Sequence, residues 1–188
     1  MSKKENNENE EKKPLGRRVL EFAYEVASVF STAVVIIALG FTFGMRFVSV
    51  VGGSMEPTLH SFDWVLVSQD KYEPAYGDIV VISQPNSYGQ NIIKRVIATE
   101  GQTIDINFST GQVFVDGQEL YEEYINNPTT NHYDVEFPVT VPEGHVFVMG
   151  DNRQGSIDSR SSAIGFIQNG YILGRADSAL TDQGHVEL

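Results

Sequence analysis

The sequence predicts a mostly β protein, in which one N-terminal transmembrane helix precedes a β-rich domain. Three observations lead to this prediction. Residues 27–45 are 19 consecutive positions without a charged side chain. The chain after residue 47 consists of short β-branched and aromatic runs separated by turn residues. The charge also changes sign across the apolar run, and 188 residues leave room for one ordinary domain plus an appendage.

Residues 1–18 are predicted to form a disordered, basic, cytoplasmic tail. They carry six basic and four acidic residues, and positions 2–13 are almost entirely Lys, Glu and Asn. Residues 48–188 carry six basic and 19 acidic residues, which gives a net charge of −13. The segments before and after the apolar run are therefore predicted to lie in different environments. The acidic net charge argues against a nucleic-acid partner.

Residues 19–47 are predicted to form the transmembrane helix. At about 1.5 Å per residue the uncharged run is about 28 Å long, close to the thickness of the hydrocarbon core. Six basic residues precede it and only Arg46 follows closely, so the positive-inside rule predicts a single-pass cell-membrane protein with a cytoplasmic N-terminus and an extracytoplasmic domain.

Two alternatives apply to the apolar run. Ala38-Leu39-Gly40 has the small-x-small pattern of a cleaved secretory signal, although the run is longer than the usual apolar region of such signals and continues past Gly40. A buried core helix is disfavoured because the run lacks a polar stripe and follows a basic tail.

Residues 48–188 are predicted to form the outer domain, which consists mainly of β-strands. Thr110-Gly111 and Asp116-Gly117 are turn signals, which predict a hairpin within residues 104–120. Residues 121–142 show weak periodicity and are predicted to be a long loop or a small subdomain. The predicted strands are 47–51, 64–68, 78–83, 92–98, 103–107, 112–115 and 145–149.

The first polar motif is GGSMEPTL at residues 52–59, directly after a predicted strand. A serine hydroxyl such as that of Ser54 needs a base to become a nucleophile, and nearby N–H groups to hold the oxyanion that forms. Gly52 and Gly53 would let the chain approach a substrate without Cβ obstruction. The alternative is a plain Gly-Gly turn followed by a proline-stiffened one.

The second motif is a charged pair within the aliphatic strand IIKRVI at residues 92–97. In a strand Lys94 shares its face with Ile92 and Val96, while Arg95 points to the other face. Apolar surroundings lower the pKa of a lysine from about 10.4 towards neutrality and so make it a usable base. The alternative is an edge-strand lysine that protects against aggregation.

The third motif, MGDNRQGSIDSR at residues 149–160, is a polar loop after a predicted strand. Arginine binds carboxylates through two parallel hydrogen bonds. Asp151 and Asp158 can therefore each find a partner among Arg95, Arg153 and Arg160. The alternative is a solvated turn.

Taken in order, these segments resemble the type I signal peptidases, membrane-bound serine proteases that remove signal peptides from exported proteins. The resemblance is carried by SMEPTL (54–59), GDIVV (77–81), IKRV (93–96), GDNR (150–153) and SxDSR (156–160), together with the hairpin sequence VFVDG (113–117). It covers essentially everything from the membrane span onward.

The resemblance implies a Ser-Lys dyad, with Ser54 as nucleophile and Lys94 as general base, and an oxyanion and substrate-backbone site at Gly52, Gly53 and Ser54. The implied fold is a mostly antiparallel β architecture. No cofactor is implied. The implied partners are secreted preproteins and the lipid bilayer, near the secretion translocon.

Supporting residues also follow from the resemblance. Ser156 stands where the family's second serine hydrogen-bonds the lysine amine. Asp158 and Arg160 stand where an ion pair supports the site, and Arg95 matches a structural arginine.

The sequence departs from the family pattern at three places. Some relatives have a serine at the position of Gly52, where it donates to the oxyanion, so backbone N–H groups must do more here. Phe62 stands where a Gly-Asp pair usually begins, and residues 100–102 are Glu-Gly-Gln instead of Pro-Gly-Asp. In the endoplasmic-reticulum form a histidine replaces the lysine, whereas this chain has Lys94.

Two other functions are kept open. A Ser-His-Asp hydrolase would use His60, His132, His145 or His185, none of which lies in a supporting motif. A membrane-tethered β binding module would need no buried lysine. The absence of cysteine removes thiolate chemistry, and the scattered histidines predict no metal site.

Overall fold

The structure is a computed structural model that describes residues 14–43, 45–68, 72–83 and 89–188. It divides into two units, Met1–Phe43 and Gly44–Leu188. Most of the predicted disordered tail, residues 1–13, lies outside the described residues.

The N-terminal unit contains one helix, α1 (Leu15–Phe43). Pro14 lies directly before it, and the Pro14 carbonyl accepts hydrogen bonds from the N–H groups of Arg17 (2.9 Å) and Arg18 (3.3 Å). Proline suits this position because a donor would be unsatisfied in the first turn. By length and composition, Leu15–Gly40 could cross a membrane, with a mean hydropathy of 2.0.

The helix lies about four residues earlier in the chain than the predicted span 19–47. It ends at Phe43 because Met45–Ser49 form a strand that pairs with Trp64–Ser68. Residues 45–47, which the apolar pattern alone assigned to the helix, therefore belong to a β-strand.

The second unit is built from two sheets in which every paired strand is antiparallel, so the predicted fold class is confirmed. The strands are β1 (Met45–Ser49), β2 (Trp64–Ser68), β3 (Ile79–Ile82), β4 (Ile92–Thr99), β5 (Thr103–Asn107), β6 (Gln112–Val115), β7 (Gln118–Glu119), β8 (Val139–Thr140), β9 (His145–Met149), β10 (Ile167–Gln168), β11 (Ile172–Thr181) and β12 (Gly184–Glu187). The larger sheet has the order β1-β2-β11-β3-β4-β9-β10, with β12 paired to β11, and the smaller has the order β7-β6-β5-β8.

All seven predicted strands are present, β1 being displaced by two residues at each end. The predicted hairpin is the β5-β6 pair, and β7 extends it after the Asp116-Gly117 turn, where both residues have positive φ (52° and 77°).

The ten-residue strand β11 was not predicted, although it lies inside the larger sheet between β2 and β3. Its register shifts between Ile172 and Gly174 and again between Ala176 and Ser178, which removes the regular alternation that identifies a strand in a sequence. Three buried apolar clusters fill the unit, and one of them joins β4 and β9 to the smaller sheet.

Candidate active site

Ser54 lies in the loop between β1 and β2. The loop is closed at its ends by two backbone hydrogen bonds of 2.9 Å, from the Val50 N–H to the Asp63 carbonyl and from the Phe62 N–H to the Val50 carbonyl. Met55 and Leu59 are fully buried in the adjacent apolar cluster. The apolar side chains thus anchor the loop and fix where the Ser54 hydroxyl lies.

Lys94 lies on β4, between β3 and β9, and is only 4% exposed. Its Nζ donates to Ser54 Oγ at 2.8 Å and to the Ile93 carbonyl at 2.9 Å. Burial lowers the pKa of Lys94 from 10.5 to about 8, while Asp158 and Asp151 act in the opposite direction. Desolvation outweighs the two carboxylates, so a neutral amine is accessible near neutral pH.

Both of these carboxylates are bound by arginine. Asp158 accepts from Arg160 Nε (2.8 Å) and Nη2 (2.9 Å), and Asp151 accepts from Arg95 Nε (2.8 Å) and Nη2 (2.7 Å). All four residues are buried. The pairing reduces the attraction between the carboxylates and a protonated Lys94.

Gly150 connects these ion pairs to the nucleophile. Its N–H donates to Asp158 Oδ2 at 2.9 Å. A Cβ at this position would lie 2.3 Å from Ser156 Oγ and 2.4 Å from the Ser54 carbonyl oxygen, so only glycine allows the two loops to meet.

The expected hydrogen bond between Ser156 and Lys94 is absent. Ser156 Oγ is buried and has no hydrogen-bond partner among the described residues. It lies against Gly150, whereas the lysine amine donates to Ser54 and to the Ile93 carbonyl.

The three residues expected at the oxyanion site differ in which of their backbone groups are already hydrogen-bonded. The Gly52 N–H donates to Ser61 Oγ at 2.9 Å, so this donor is already used, and Gly52 itself turns the chain with φ of 90°. The Gly53 carbonyl accepts from Asn152 Nδ2 at 2.9 Å. Within the described part of the chain, no acceptor takes the Ser54 N–H, which leaves it available for an oxyanion.

Sequence reasoning assigned no role to Asn152 or Thr58. The Asn152 N–H donates to the Ser54 carbonyl at 3.1 Å, and the Thr58 hydroxyl donates to Asp151. Together with the amide of Asn152, these bonds join the serine loop to the loop after β9. Asn152 was visible in the GDNR motif, but no sequence signal indicated its partner.

Arg153 also differs from expectation. It was a candidate partner for the aspartates, yet its guanidinium binds Glu122 through Nη1 (2.8 Å) and Nη2 (2.6 Å). Glu122 comes from the loop with weak periodicity, where nothing in the sequence distinguished it.

The arrangement defines a class of enzyme. A serine hydroxyl hydrogen-bonded to a buried lysine amine can lose its proton to that amine and attack a carbonyl carbon. Among the described residues the side-chain partner of Ser54 Oγ is Lys94 and no histidine takes this place, which disfavours the Ser-His-Asp alternative. The geometry is that of a serine paired with a lysine, an arrangement suited to acyl transfer.

Comparison with known proteins identifies the family of the chain. Residues 23–181 match the family model "Signal peptidase, peptidase S26". The chain belongs to this family, which confirms the resemblance inferred from the motifs.

Individual relatives carry the same description. A probable signal peptidase I-1 of Synechocystis sp. is 43% identical over 133 residues, 65% of this chain and 64% of that protein's length. A probable signal peptidase I-2 of the same organism is 35% identical over 81% of this chain and 70% of its own length. A crystal structure of a signal peptidase I from Enterococcus faecalis V583 is 31% identical, with a TM-score of 0.44, over 55% of this chain and 97% of that chain.

Proposed function

We propose that this protein is a membrane-anchored type I signal peptidase, which cleaves N-terminal signal peptides from exported preproteins with Ser54 as nucleophile and Lys94 as general base. The observation that carries the proposal is the 2.8 Å hydrogen bond between Lys94 Nζ and Ser54 Oγ, made by a lysine whose burial lowers its pKa to about 8. Membership of the signal peptidase family supports the substrate class.

In the reaction, the neutral Lys94 amine takes the Ser54 proton as Oγ attacks the scissile carbonyl carbon. The negative charge then develops on the carbonyl oxygen, where the Ser54 N–H can donate to it. When the C–N bond breaks, the Lys94 ammonium returns its proton to the leaving amine. A water molecule, deprotonated by Lys94, then hydrolyses the acyl-enzyme ester and regenerates the serine.

Asp151, Asp158 and their arginines support the dyad without touching the reacting atoms. Because Arg95 and Arg160 neutralise the two carboxylates, Lys94 can release its proton near neutral pH. The family relationship further implies small residues, typically alanine, at the first and third positions before the cut. Such residues need shallow pockets, which we expect the strands around residues 47–51 and 78–82 to form, because Val50, Ile79 and Val81 belong to one buried apolar cluster.

The membrane arrangement is also proposed. The six basic residues of positions 1–18, which precede the uncharged run, favour a cytoplasmic N-terminus, and the acidic domain would then lie outside, where preproteins leave the translocon. Phe47, Phe62 and Trp64 are 55%, 81% and 50% exposed and are candidates for contact with the bilayer. Met55 is also an apolar residue beside Ser54, but it is 1% exposed and packs in the core, which excludes it from contact with the bilayer.

The central test uses the full chain in detergent with a model preprotein. We expect a single cut after the small residue that ends the signal peptide, read by sequencing the new N-terminus. Ser54→Ala and Lys94→Ala should both abolish it, whereas a binding module would keep its function in both variants. A cut that tolerates bulky residues at both alanine positions of the substrate would contradict the proposed specificity.

Contact with the bilayer has a separate test. The chain without residues 1–46 should need detergent or lipid for full activity, because its exposed aromatic side chains would contact that phase. Equal activity in plain buffer would exclude the proposed contact.

A further inference from the structure

The loop of residues 122–133, called the brace here, is fastened to the loop that follows β9. Tyr133 OH donates to the Ser156 carbonyl at 2.9 Å, and Asn131 Nδ2 donates to the Gln154 carbonyl at 2.7 Å. Arg160 Nη1 in turn donates to the Asn131 carbonyl at 3.3 Å. The brace thus covers the loop that carries Asp151, Ser156 and Asp158.

Glu122 makes the strongest of these contacts. Its carboxylate holds Arg153 through two hydrogen bonds, and the side chains are 5% and 0% exposed. A fully buried guanidinium needs such a partner, because a lone buried charge is costly. Arg153 also donates to Thr129 Oγ1 at 2.8 Å, a second residue of the brace.

Arg153 links Glu122 to Gly150, which lies against the nucleophile Ser54. Its Nε donates to the Gly150 carbonyl at 3.1 Å, while the Gly150 N–H is held by Asp158. Gly150 is thereby fixed at both polar backbone atoms, directly against the Ser54 carbonyl. A small rotation of Gly150 would move the serine loop relative to Lys94.

Tyr124 connects Glu122 to the second ion pair. Its hydroxyl donates to Glu122 Oε1 at 2.7 Å, and its ring lies 4.0 Å from the guanidinium carbon of Arg95. Arg95 is the arginine that binds Asp151. The Glu122 carboxylate therefore contacts both Arg153, which holds Gly150, and Tyr124, which packs against the arginine that binds Asp151.

We propose that Glu122 is a positioning residue, which through Arg153 holds Gly150 against Ser54 and so sets the contact between Ser54 and Lys94. The kinetic test of this proposal rests on the proposed function. The structural test, which measures the separation of Ser54 and Lys94, needs no substrate.

The kinetic experiment compares full-length variants in detergent on a model preprotein. In Glu122→Gln we expect kcat to fall about 10- to 100-fold with little change in KM, because displacing a reacting group by about 1 Å costs on that order. Glu122→Asp keeps the charge on a shorter side chain and should recover part of the loss. Glu123→Gln, the same charge change at the exposed neighbouring position, should match the wild type.

A double variant separates positioning from simple stability. Glu122→Gln combined with Arg153→Met removes both buried charges, so its melting temperature should recover relative to Glu122→Gln. Its kcat should remain low, because the Gly150 carbonyl still lacks its donor. Recovery of kcat together with the melting temperature, or wild-type kcat in Glu122→Gln, would overturn the proposal.

The geometric readout is a crystal structure of the Glu122→Gln variant. We expect the separation of Ser54 Oγ and Lys94 Nζ to exceed hydrogen-bond distance, about 3.5 Å. A retained separation of 2.8 Å would refute the positioning role. A wild-type protein that cleaves no preprotein would instead refute the proposed function, and the geometric readout would still decide the role of Glu122.

Discussion

Replacing Lys94 with methionine should stabilise the protein near neutral pH while abolishing its activity. Methionine has a similar length and flexibility but no charge, so it can fill the site without an ionisable group. The lysine, 4% exposed, has its pKa lowered from 10.5 to about 8. Since one pKa unit corresponds to about 1.4 kcal/mol, keeping this lysine protonated in the folded state costs about 3 kcal/mol.

The sign of the pH dependence follows from linkage. The unfolded chain keeps the lysine proton up to its ordinary pKa of 10.5, whereas the folded protein releases it near 8. Between these values the unfolded state binds more protons, so the free energy of unfolding rises with pH. From about pH 7 to about pH 10 the wild type should gain roughly 2 kcal/mol relative to Lys94→Met.

Urea denaturation of the full chain in a non-ionic detergent measures this difference, with the fluorescence of Trp64, the single tryptophan, as the probe. Subtracting the two proteins at each pH cancels the titration of other groups. Ser54→Ala is the matched control, since it is also inactive but keeps the amine and should retain the pH-dependent gain. Parallel pH profiles for the wild type and Lys94→Met would refute the reasoning that burial lowers the pKa of Lys94.

Three further outcomes are expected. The kcat/KM of the wild type should rise with pH through about 8, as Lys94 loses its proton. Lys94→Arg should be inactive across this range because guanidinium cannot deprotonate. A near-normal rate in this variant would exclude lysine as the base. Gly150→Ala should lower both the melting temperature and kcat, since its Cβ would meet Ser54 and Ser156 within 2.5 Å, and unchanged values would show that the loops can separate freely. Phe62→Gly should raise the free energy of unfolding by about 1 kcal/mol, because Phe62 has a φ of 77° that glycine adopts without strain. The same substitution should weaken binding of the protein to lipid vesicles. A loss of stability would contradict the strain argument.

The position of Phe62 illustrates how a family pattern and a backbone conformation are connected. The family resemblance led us to expect a glycine at this position. The structure gives a physical reason for that expectation, since the residue has a positive φ where the loop returns to β2. The aromatic side chain therefore occupies a strained position and points to solvent, where it is 81% exposed.

Local patterns in the sequence were sufficient for the apolar helix, seven strands, the Asp116-Gly117 turn and the motifs that contain Ser54 and Lys94. Each of these depends on neighbouring residues, through periodicity, turn preference or continuous hydrophobicity. β11 escaped detection because its two register shifts interrupt the alternation, and its place in the sheet comes from pairing with β2 and β3.

The partners of the charged side chains were decided only by the tertiary structure. The family resemblance implied the pair of Asp158 and Arg160, but the sequence left open which arginine binds Asp151 and suggested no role for Glu122. These contacts join residues 56 positions apart for Arg95 and Asp151 and 31 apart for Arg153 and Glu122. Composition and spacing determined which chemistry this chain carries, whereas the packing of distant loops decided which charges meet, because a buried ion pair depends on three-dimensional proximity and desolvation that no local pattern records.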